Sequence, residues 1–220
     1  MANFMELDGP RQAPASGGDA KQLVVLLHGL GADGADLIGL APQWADALPD
    51  AAFVAPNAPF PCDMAPMGYQ WFSVQDRTPT IVHAAVQAVA PALNAFIDQE
   101  LERVGLTADK LALVGFSQGT MMSLYVAPRR EPAMAAVVGF SGRLIAPERL
   151  AEETVSRPPI MLIHGEVDEM VLFDSMAQAE QGLEAADFTV QAVACPGLGH
   201  GIDPRGLQHG GAFLKAAFAV

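Results

Sequence analysis

The sequence predicts one α/β domain built on a mostly parallel sheet with helices on both faces. Short apolar runs alternate along the chain with longer helical segments, which is typical of βαβ units. The runs are hydrophobic throughout, as strands are when both faces of a parallel sheet are buried. The length of 220 residues suits a single domain, and neither a low-complexity linker nor an internal repeat divides residues 1–220.

The apolar runs mark the expected strands, and the periodic segments between them mark the helices. Strands are expected at 23–27, 52–55, 111–114, 136–140, 160–163 and 189–194. Helices are expected at 35–48, 81–104, 117–126, 172–186 and 206–219. Pro91 should bend the second helix, because proline has no amide hydrogen for an internal turn. Residues 1–21 carry turn signals and are expected to be an N-terminal extension or an edge hairpin.

Charge and cysteine content exclude several classes of partner. The chain has 12 Lys and Arg against 25 Asp and Glu, a net charge of −13, so it should be repelled by nucleic acid and anionic membranes. No uninterrupted apolar run approaches the roughly 20 residues of a membrane span, so stable membrane insertion is not expected. Without a signal-peptide stretch before Lys21, we expect a cytoplasmic protein. Cys62 and Cys195 are then expected as reduced thiols, although they could pair.

The residues directly after the strands are the candidates for chemistry, because open parallel sheets bind ligands at the carboxyl ends of their strands. After the strand at 111–114, residues 115–119 read G-F-S-Q-G, a G-x-S-x-G pattern that opens a helix. The pattern predicts a nucleophile elbow, in which a strained turn lifts the Ser117 hydroxyl clear of the sheet. A serine that only caps an ordinary strand-to-helix turn is the alternative.

A serine hydroxyl needs a base and an orienting acid before it can attack a carbonyl carbon. After such an elbow the partners follow in the order acid and then histidine. Asp168 follows the strand at 160–163, and His200 lies in a glycine-flanked loop after the last strand. Glu166 and Glu169 are competing acids beside Asp168. The remaining histidines precede the serine or the acid, or lie in expected helices: His28, His83, His164 and His209.

Acyl transfer also needs two N–H donors for the oxyanion. One should be the amide of Gln118, next to the serine, and the other the amide of Leu30 in the glycine-rich loop after the first long strand. Residues 29–34 also read G-L-G-A-D-G, which matches a dinucleotide-binding pattern. Against that reading, the next strand ends without the acid that would hold a ribose, and Asp33 would repel a pyrophosphate.

The segment 56–79 is too long for a plain connection and is rich in proline, methionine and aromatic residues. Methionine and aromatic side chains suit an adaptable apolar pocket. We therefore predict a substrate pocket lined by Met64, Met67, Trp71 and Phe72. Simple packing of this segment onto the domain is the alternative.

Taken together, these motifs resemble the phospholipase/carboxylesterase branch of the α/β-hydrolases, which includes relatives of the acyl-protein thioesterases. The resemblance runs from about Gln22 to the C-terminus. Its landmarks are L-H-G-L-G at 27–31, A-P-N-A-P at 55–59, W-F at 71–72, G-F-S-Q-G at 115–119, H-G-E-V-D at 164–168 and G-H-G at 199–201. The chain departs from the family at Ser73, often an acid there, and at Leu172, often a proline.

The resemblance implies an α/β-hydrolase fold of seven strands without a large lid domain. It implies a serine carboxylesterase for short- to medium-chain esters, with Ser117, Asp168 and His200 as its triad and Leu30 and Gln118 as its oxyanion hole. No metal or organic cofactor is expected, and the partner is a small-molecule ester; a homodimer is left open. The alternatives are an acyl-protein thioesterase, a lysophospholipase, a peptidase or acyltransferase on the same triad, and a non-catalytic binding protein.

Overall fold

A seven-stranded sheet forms the centre of the computed structural model, which describes residues 5–219. The strands of the described residues are β1 (Arg11–Gln12), β2 (Gln22–Leu27), β3 (Ala51–Val54), β4 (Phe60–Pro61), β5 (Tyr69–Gln70), β6 (Leu111–Phe116), β7 (Ala136–Phe140), β8 (Ile160–Gly165) and β9 (Val190–Cys195). The sheet order is β1-β3-β2-β6-β7-β8-β9, whereas β4 and β5 form a separate hairpin. All neighbours in the large sheet are parallel except β1, which is antiparallel to β3.

Helices cover both faces of this sheet. They are α1 (Gly34–Leu37), α2 (Pro79–Val104), α3 (Gln118–Val126), α4 (Leu150–Glu153), α5 (Asp174–Glu184) and α6 (Pro204–Ala217). Alternate residues of β2 enter two separate cores: Val25 packs with residues of α2, α3 and α5, and Leu26 packs with residues of α6. The central strands β2, β3, β6, β7 and β8 are buried on both sides and are accordingly largely apolar. The predicted fold class is therefore confirmed.

The prediction of a helix at 35–48 is wrong for most of that range. Only α1 is α-helical, and it is followed by a 3-10 segment, Ile38–Trp44. Pro42 lies inside that segment and has no amide hydrogen for an α-helical bond, so the chain takes the tighter turn. The Trp44 indole N–H donates to the Leu207 carbonyl at 2.8 Å and holds the segment against α6.

The long helix α2 begins at Pro79 and ends where Gly105 adopts a left-handed conformation, with φ 69°. Its length and hydropathy would suffice to cross a membrane, but residues such as Val86, Leu93 and Ile97 are buried in the core. Amphipathic packing of this kind stabilises most helices in globular proteins. The bend expected near Pro91 stays a prediction. Helix α4, which follows a 3-10 turn at Pro147–Arg149, was not predicted.

The N-terminal segment closes one edge of the sheet rather than forming its own hairpin. Arg11 lies opposite Val54 in the ladder between β1 and β3. The Arg11 guanidinium also reaches across to the buried carboxylate of Glu100 on α2, at 2.7 Å, and Arg103 binds the same carboxylate at 2.6 Å. Burial raises the pKa of Glu100, but the hydrogen bonds from these two arginines hold it below its usual range. This ion pair ties the edge strand to the main helix.

Replacing Arg11 with Ala should lower the free energy of unfolding by about 1–3 kcal/mol, because a buried carboxylate then keeps only one of its two guanidinium partners. Urea denaturation measures this change. The control is Lys110→Ala, which removes an exposed ion pair with Asp109 and should leave the free energy of unfolding nearly unchanged. Equal losses in the two variants would contradict the prediction.

Candidate active site

Ser117 lies on a sharp turn between β6 and α3. Its backbone has φ 54° and ψ −113°, a strained conformation for a residue with a side chain. The flanking glycines make this turn sterically possible. A Cβ on Gly115 would lie 2.3 Å from the Thr120 nitrogen, and one on Gly119 would lie 1.8 Å from the Leu27 carbonyl oxygen. This is the geometry of a nucleophile elbow, with the serine at the N-terminus of a helix.

Asp168 and His200 are joined by a hydrogen bond of 2.7 Å between Nδ1 and Oδ2. A carboxylate only accepts, so Nδ1 carries a proton, and in the neutral ring Nε2 then has the free lone pair. The amides of Met170 and Val171 donate to the other carboxylate oxygen, each at 2.9 Å. Burial raises the pKa of the Asp168 carboxyl, but the hydrogen bonds from His200 and the two amides hold it below its usual range. The carboxylate is therefore ionised at neutral pH.

The imidazole of His200 is held beside the elbow by Phe116, the residue before the serine, with ring centroids 4.9 Å apart. Among the hydrogen bonds of residues 5–219, none joins the Ser117 hydroxyl to His200. Such bonds often tighten only when a substrate is bound. The competing acids Glu166 and Glu169 are exposed, and within the same residues neither accepts a hydrogen bond from His200.

The two predicted oxyanion donors flank the serine. A Cβ on Gly29 would lie 3.3 Å from the Ser117 Cβ, so the loop after β2 runs alongside Ser117. In the described part of the chain, the amides of Leu30 and Gln118 donate to no other protein group, which leaves both for a ligand. Gly31, with φ 79°, turns this loop back toward β5. The arrangement can place two N–H groups on one developing negative charge.

His28 supports this loop, a role that sequence reasoning did not assign. Its Nε2 accepts from the Ala58 amide at 2.9 Å, and its Nδ1 donates to the Gly29 carbonyl at 2.7 Å. The ring is therefore neutral, and burial lowers its pKa. The Trp71 indole N–H donates to the His28 carbonyl at 2.9 Å. The H-G-L-G motif marked the position, but only burial and hydrogen bonding reveal this function.

The side chain of Gln118 pins the long segment to the elbow. Its Oε1 accepts from the Trp71 amide at 3.0 Å, and its Nε2 donates to the Phe72 carbonyl at 2.8 Å. Both aromatic side chains are fully buried in the core, whereas Met64 and Met67 are 59% and 79% exposed. The four residues predicted to line one pocket are therefore separated. The two aromatic rings anchor the segment from inside, and the two methionines face solvent on the hairpin side.

His164 braces the loop that carries the acid. Its buried Nε2 lies 2.8 Å from the Val171 carbonyl, which only accepts, and 3.3 Å from Asp168 Oδ2. The ring thus helps to orient the carboxylate rather than acting as the base. Of the other histidines, His83 lies on α2 beside Tyr125, and His209 is exposed on α6.

The glycine-rich loop does not offer a phosphate site. The Gly34 amide at the start of α1 donates to the Asn57 side chain at 2.9 Å, and Asp33 caps the same helix through the Asp36 amide. The helix N-terminus that a pyrophosphate would need is therefore occupied. Residues 5–219 contain no cluster of three or more His, Cys, Asp or Glu side chains that could hold a metal ion.

Comparison with protein families matches residues 13–218 to the phospholipase/carboxylesterase family. The chain belongs to this family. It is 35% identical to esterase YpfH of Escherichia coli K12 over 191 residues, which cover 86% of this chain and 80% of that protein. It is 29% identical to carboxylesterase SOBER1 of Arabidopsis thaliana over 210 residues, or 89% of this chain and 90% of SOBER1.

A solved structure supports the same assignment. The crystal structure of esterase PE8 superposes with a TM-score of 0.91 and 40% identity, over 96% of this chain and 99% of that one. Members of the phospholipase/carboxylesterase family have the α/β-hydrolase fold, and this chain is a serine hydrolase.

The buried imidazole of His28 should make stability depend on pH. Its folded pKa lies below the ordinary value of 6.5, so the unfolded chain binds the proton more readily. The free energy of unfolding therefore has its full value above that pH and decreases as the pH falls through it. Urea denaturation between about pH 7.5 and 5 should show a smaller pH slope for His28→Gln than for the unmodified protein. The exposed control, His209→Gln, should keep the original slope; an unchanged slope in His28→Gln would refute this assignment.

Proposed function

We propose that the protein is a serine carboxylesterase that hydrolyses short- to medium-chain carboxylic esters through an acyl-enzyme on Ser117. The observation that carries the proposal is the 2.7 Å hydrogen bond between His200 Nδ1 and the buried carboxylate of Asp168. It places the proton on Nδ1 and leaves Nε2 as a base, on a ring packed against the residue that precedes the serine. An oriented imidazole beside an elbow serine is what acyl transfer requires.

In the first half-reaction, His200 Nε2 takes the Ser117 proton as the serine oxygen attacks the ester carbonyl carbon. The amides of Leu30 and Gln118 donate to the resulting oxyanion. The oxyanion collapses, the bond to the alcohol oxygen breaks, and Nε2 gives its proton to the leaving alcohol. Throughout, Asp168 stays ionised and stabilises the imidazolium.

In the second half-reaction, Nε2 takes a proton from a water molecule, whose oxygen attacks the acyl carbon. The carboxylic acid leaves and Ser117 recovers its proton. Esters and thioesters pass through the same acyl-enzyme, so acyl-protein thioesterase or lysophospholipase activity is the alternative on these residues. Cys62 and Cys195 are both free thiols, which supports a cytoplasmic location.

Replacing Ser117 with Ala should lower kcat by roughly three to six orders of magnitude and leave the fold intact, because only the nucleophile is removed. The assay is hydrolysis of p-nitrophenyl esters from acetate to palmitate, with a thioester series alongside. Activity should be highest on short to medium acyl chains. Ser16→Ala, at an exposed turn, is the matched control. Folded protein without turnover on any ester would overturn the carboxylesterase proposal, and turnover of thioesters alone would select the alternative.

Replacing Asp168 with Asn should lower kcat/KM by roughly 10³–10⁴, because the amide no longer holds the required imidazole tautomer. The matched controls are Glu166→Gln and Glu169→Gln, which should stay within about twofold of the unmodified enzyme. A loss confined to either control would transfer the role of orienting acid to that glutamate.

A further inference from the structure

A cavity of about 340 Å³ opens between the loop after β7, the start of α2 and the first turns of α5. Three arginines line it, Arg77, Arg143 and Arg149, although the chain has only 12 basic residues and a net charge of −13. Basic side chains concentrated in one concave site of an acidic protein indicate a local function, because they oppose the overall field.

Arg143 is the unusual member of this group. Its Nε is buried without a hydrogen-bond partner, and within residues 5–219 the guanidinium takes part in no ion pair. By contrast, the well-buried guanidiniums of Arg129 and Arg130 pair with Glu153 and Asp98. Burial, with a smaller effect of Arg77, lowers the pKa of Arg143. A partly desolvated cation without a counterion is unfavourable, so the cavity favours an anion.

Other groups around the cavity also suit an anion. Arg77 Nε donates a hydrogen bond to the Val74 carbonyl at 3.3 Å. Within residues 5–219, its terminal nitrogens form no ion pair with a carboxylate. The N-terminus of the 26-residue helix α2 lines the cavity through Pro79 and Thr80 and carries the positive end of the helix dipole. Hydroxyl and imidazole donors are supplied by Ser175 and His83.

The opposing charges at the cavity are weak. Glu148 is the acidic residue of the lining, and its side chain is exposed. Arg149 interacts with Glu152 at 3.7 Å, so this arginine is already partly compensated. The excess positive charge therefore comes from Arg77 and Arg143.

The backbone connects this cavity to the nucleophile. Gly142, directly before Arg143, packs so closely on the elbow that a Cβ there would lie 3.1 Å from the Ser117 carbonyl oxygen. Arg77 follows the segment that the Gln118 side chain holds through the Phe72 carbonyl. Both guanidiniums are thus carried by segments whose backbone contacts the elbow residues Ser117 and Gln118.

We propose that this cavity binds an anionic group of the ester substrate, a carboxylate or a phosphate, with Arg143 as its main ligand and Arg77 as the second. This inference rests on the proposed esterase function and specifies its substrate class. Guanidinium groups bind both oxyanions with directed hydrogen bonds, and a partly desolvated site strengthens them. Esters that carry such a group should be hydrolysed with a higher kcat/KM than neutral esters of the same size.

Two matched substrate pairs test the proposal and distinguish the two oxyanions. The first pair is mono-p-nitrophenyl glutarate and p-nitrophenyl valerate, which places a carboxylate on the acyl side. The second is 1-butyryl-glycerol 3-phosphate and monobutyrin, which places a phosphate on the alcohol side. Arg143→Gln should lower kcat/KM for the anionic member of at least one pair about tenfold or more, mainly through KM. Neutral esters should stay within about twofold, and Arg143→Lys should recover part of the loss.

The matched control is Arg157→Gln. Within residues 5–219 the Arg157 guanidinium likewise pairs with no carboxylate, but it does not line the cavity. Should Arg143→Gln fail to fold, the exposed Arg77→Gln provides the same comparison. An unchanged ratio of anionic to neutral kcat/KM in both pairs would overturn the anion site while leaving the esterase intact.

Binding to Ser117→Ala separates the remaining outcomes. If no ester of either pair is hydrolysed, the esterase proposal fails, and calorimetry with glutarate and inorganic phosphate then tests the cavity alone. Binding that disappears when Arg143→Gln is added supports the anion site independently of turnover. Absence of binding, or binding that persists in the double variant, excludes it.

Discussion

The close approach of α3 to β2 is the constraint on which the rest of the site depends. Gly119 packs so tightly against the Leu27 carbonyl that no side chain fits, and this contact holds Ser117 in its left-handed turn. The residues on either side of the serine then hold the neighbouring segments in place. Phe116 packs against the imidazole of His200, and the side chain of Gln118 binds the long segment after β3. One sterically determined turn thus orders two neighbouring segments.

Environment, rather than residue type, gives each histidine of the site a different role. His28 is fully buried between a backbone donor and a backbone acceptor, which keeps it neutral and makes it a support for the oxyanion loop. His164 is buried too and directs Nε2 to the Val171 carbonyl. Of these three histidines, only His200 combines a carboxylate partner with a partly exposed side chain. The carboxylate of Asp168 stays ionised because two amides and an imidazole compensate its burial.

Much of this architecture could be predicted from the sequence because it depends on local patterns. Apolar runs follow directly from strands buried on both faces, and the positions of Ser117, Asp168 and His200 follow from where those strands end. Irregular segments have no such periodicity. The direction of the Trp71 side chain depends on an indole hydrogen bond to the backbone of a distant loop. The failure at 35–48 has a local cause, since Pro42 lies inside this segment and has no amide hydrogen for an α-helical bond.

The cationic cavity shows why composition is a poor guide to a binding site. Net charge sums over the whole surface, but an ion near Arg143 responds mainly to charges within a Debye length, about 8 Å at physiological ionic strength. Arg77 and Arg143 lie on segments that are far apart in the sequence, yet both line the same cavity. A chain that is acidic overall can therefore still present a locally cationic cavity.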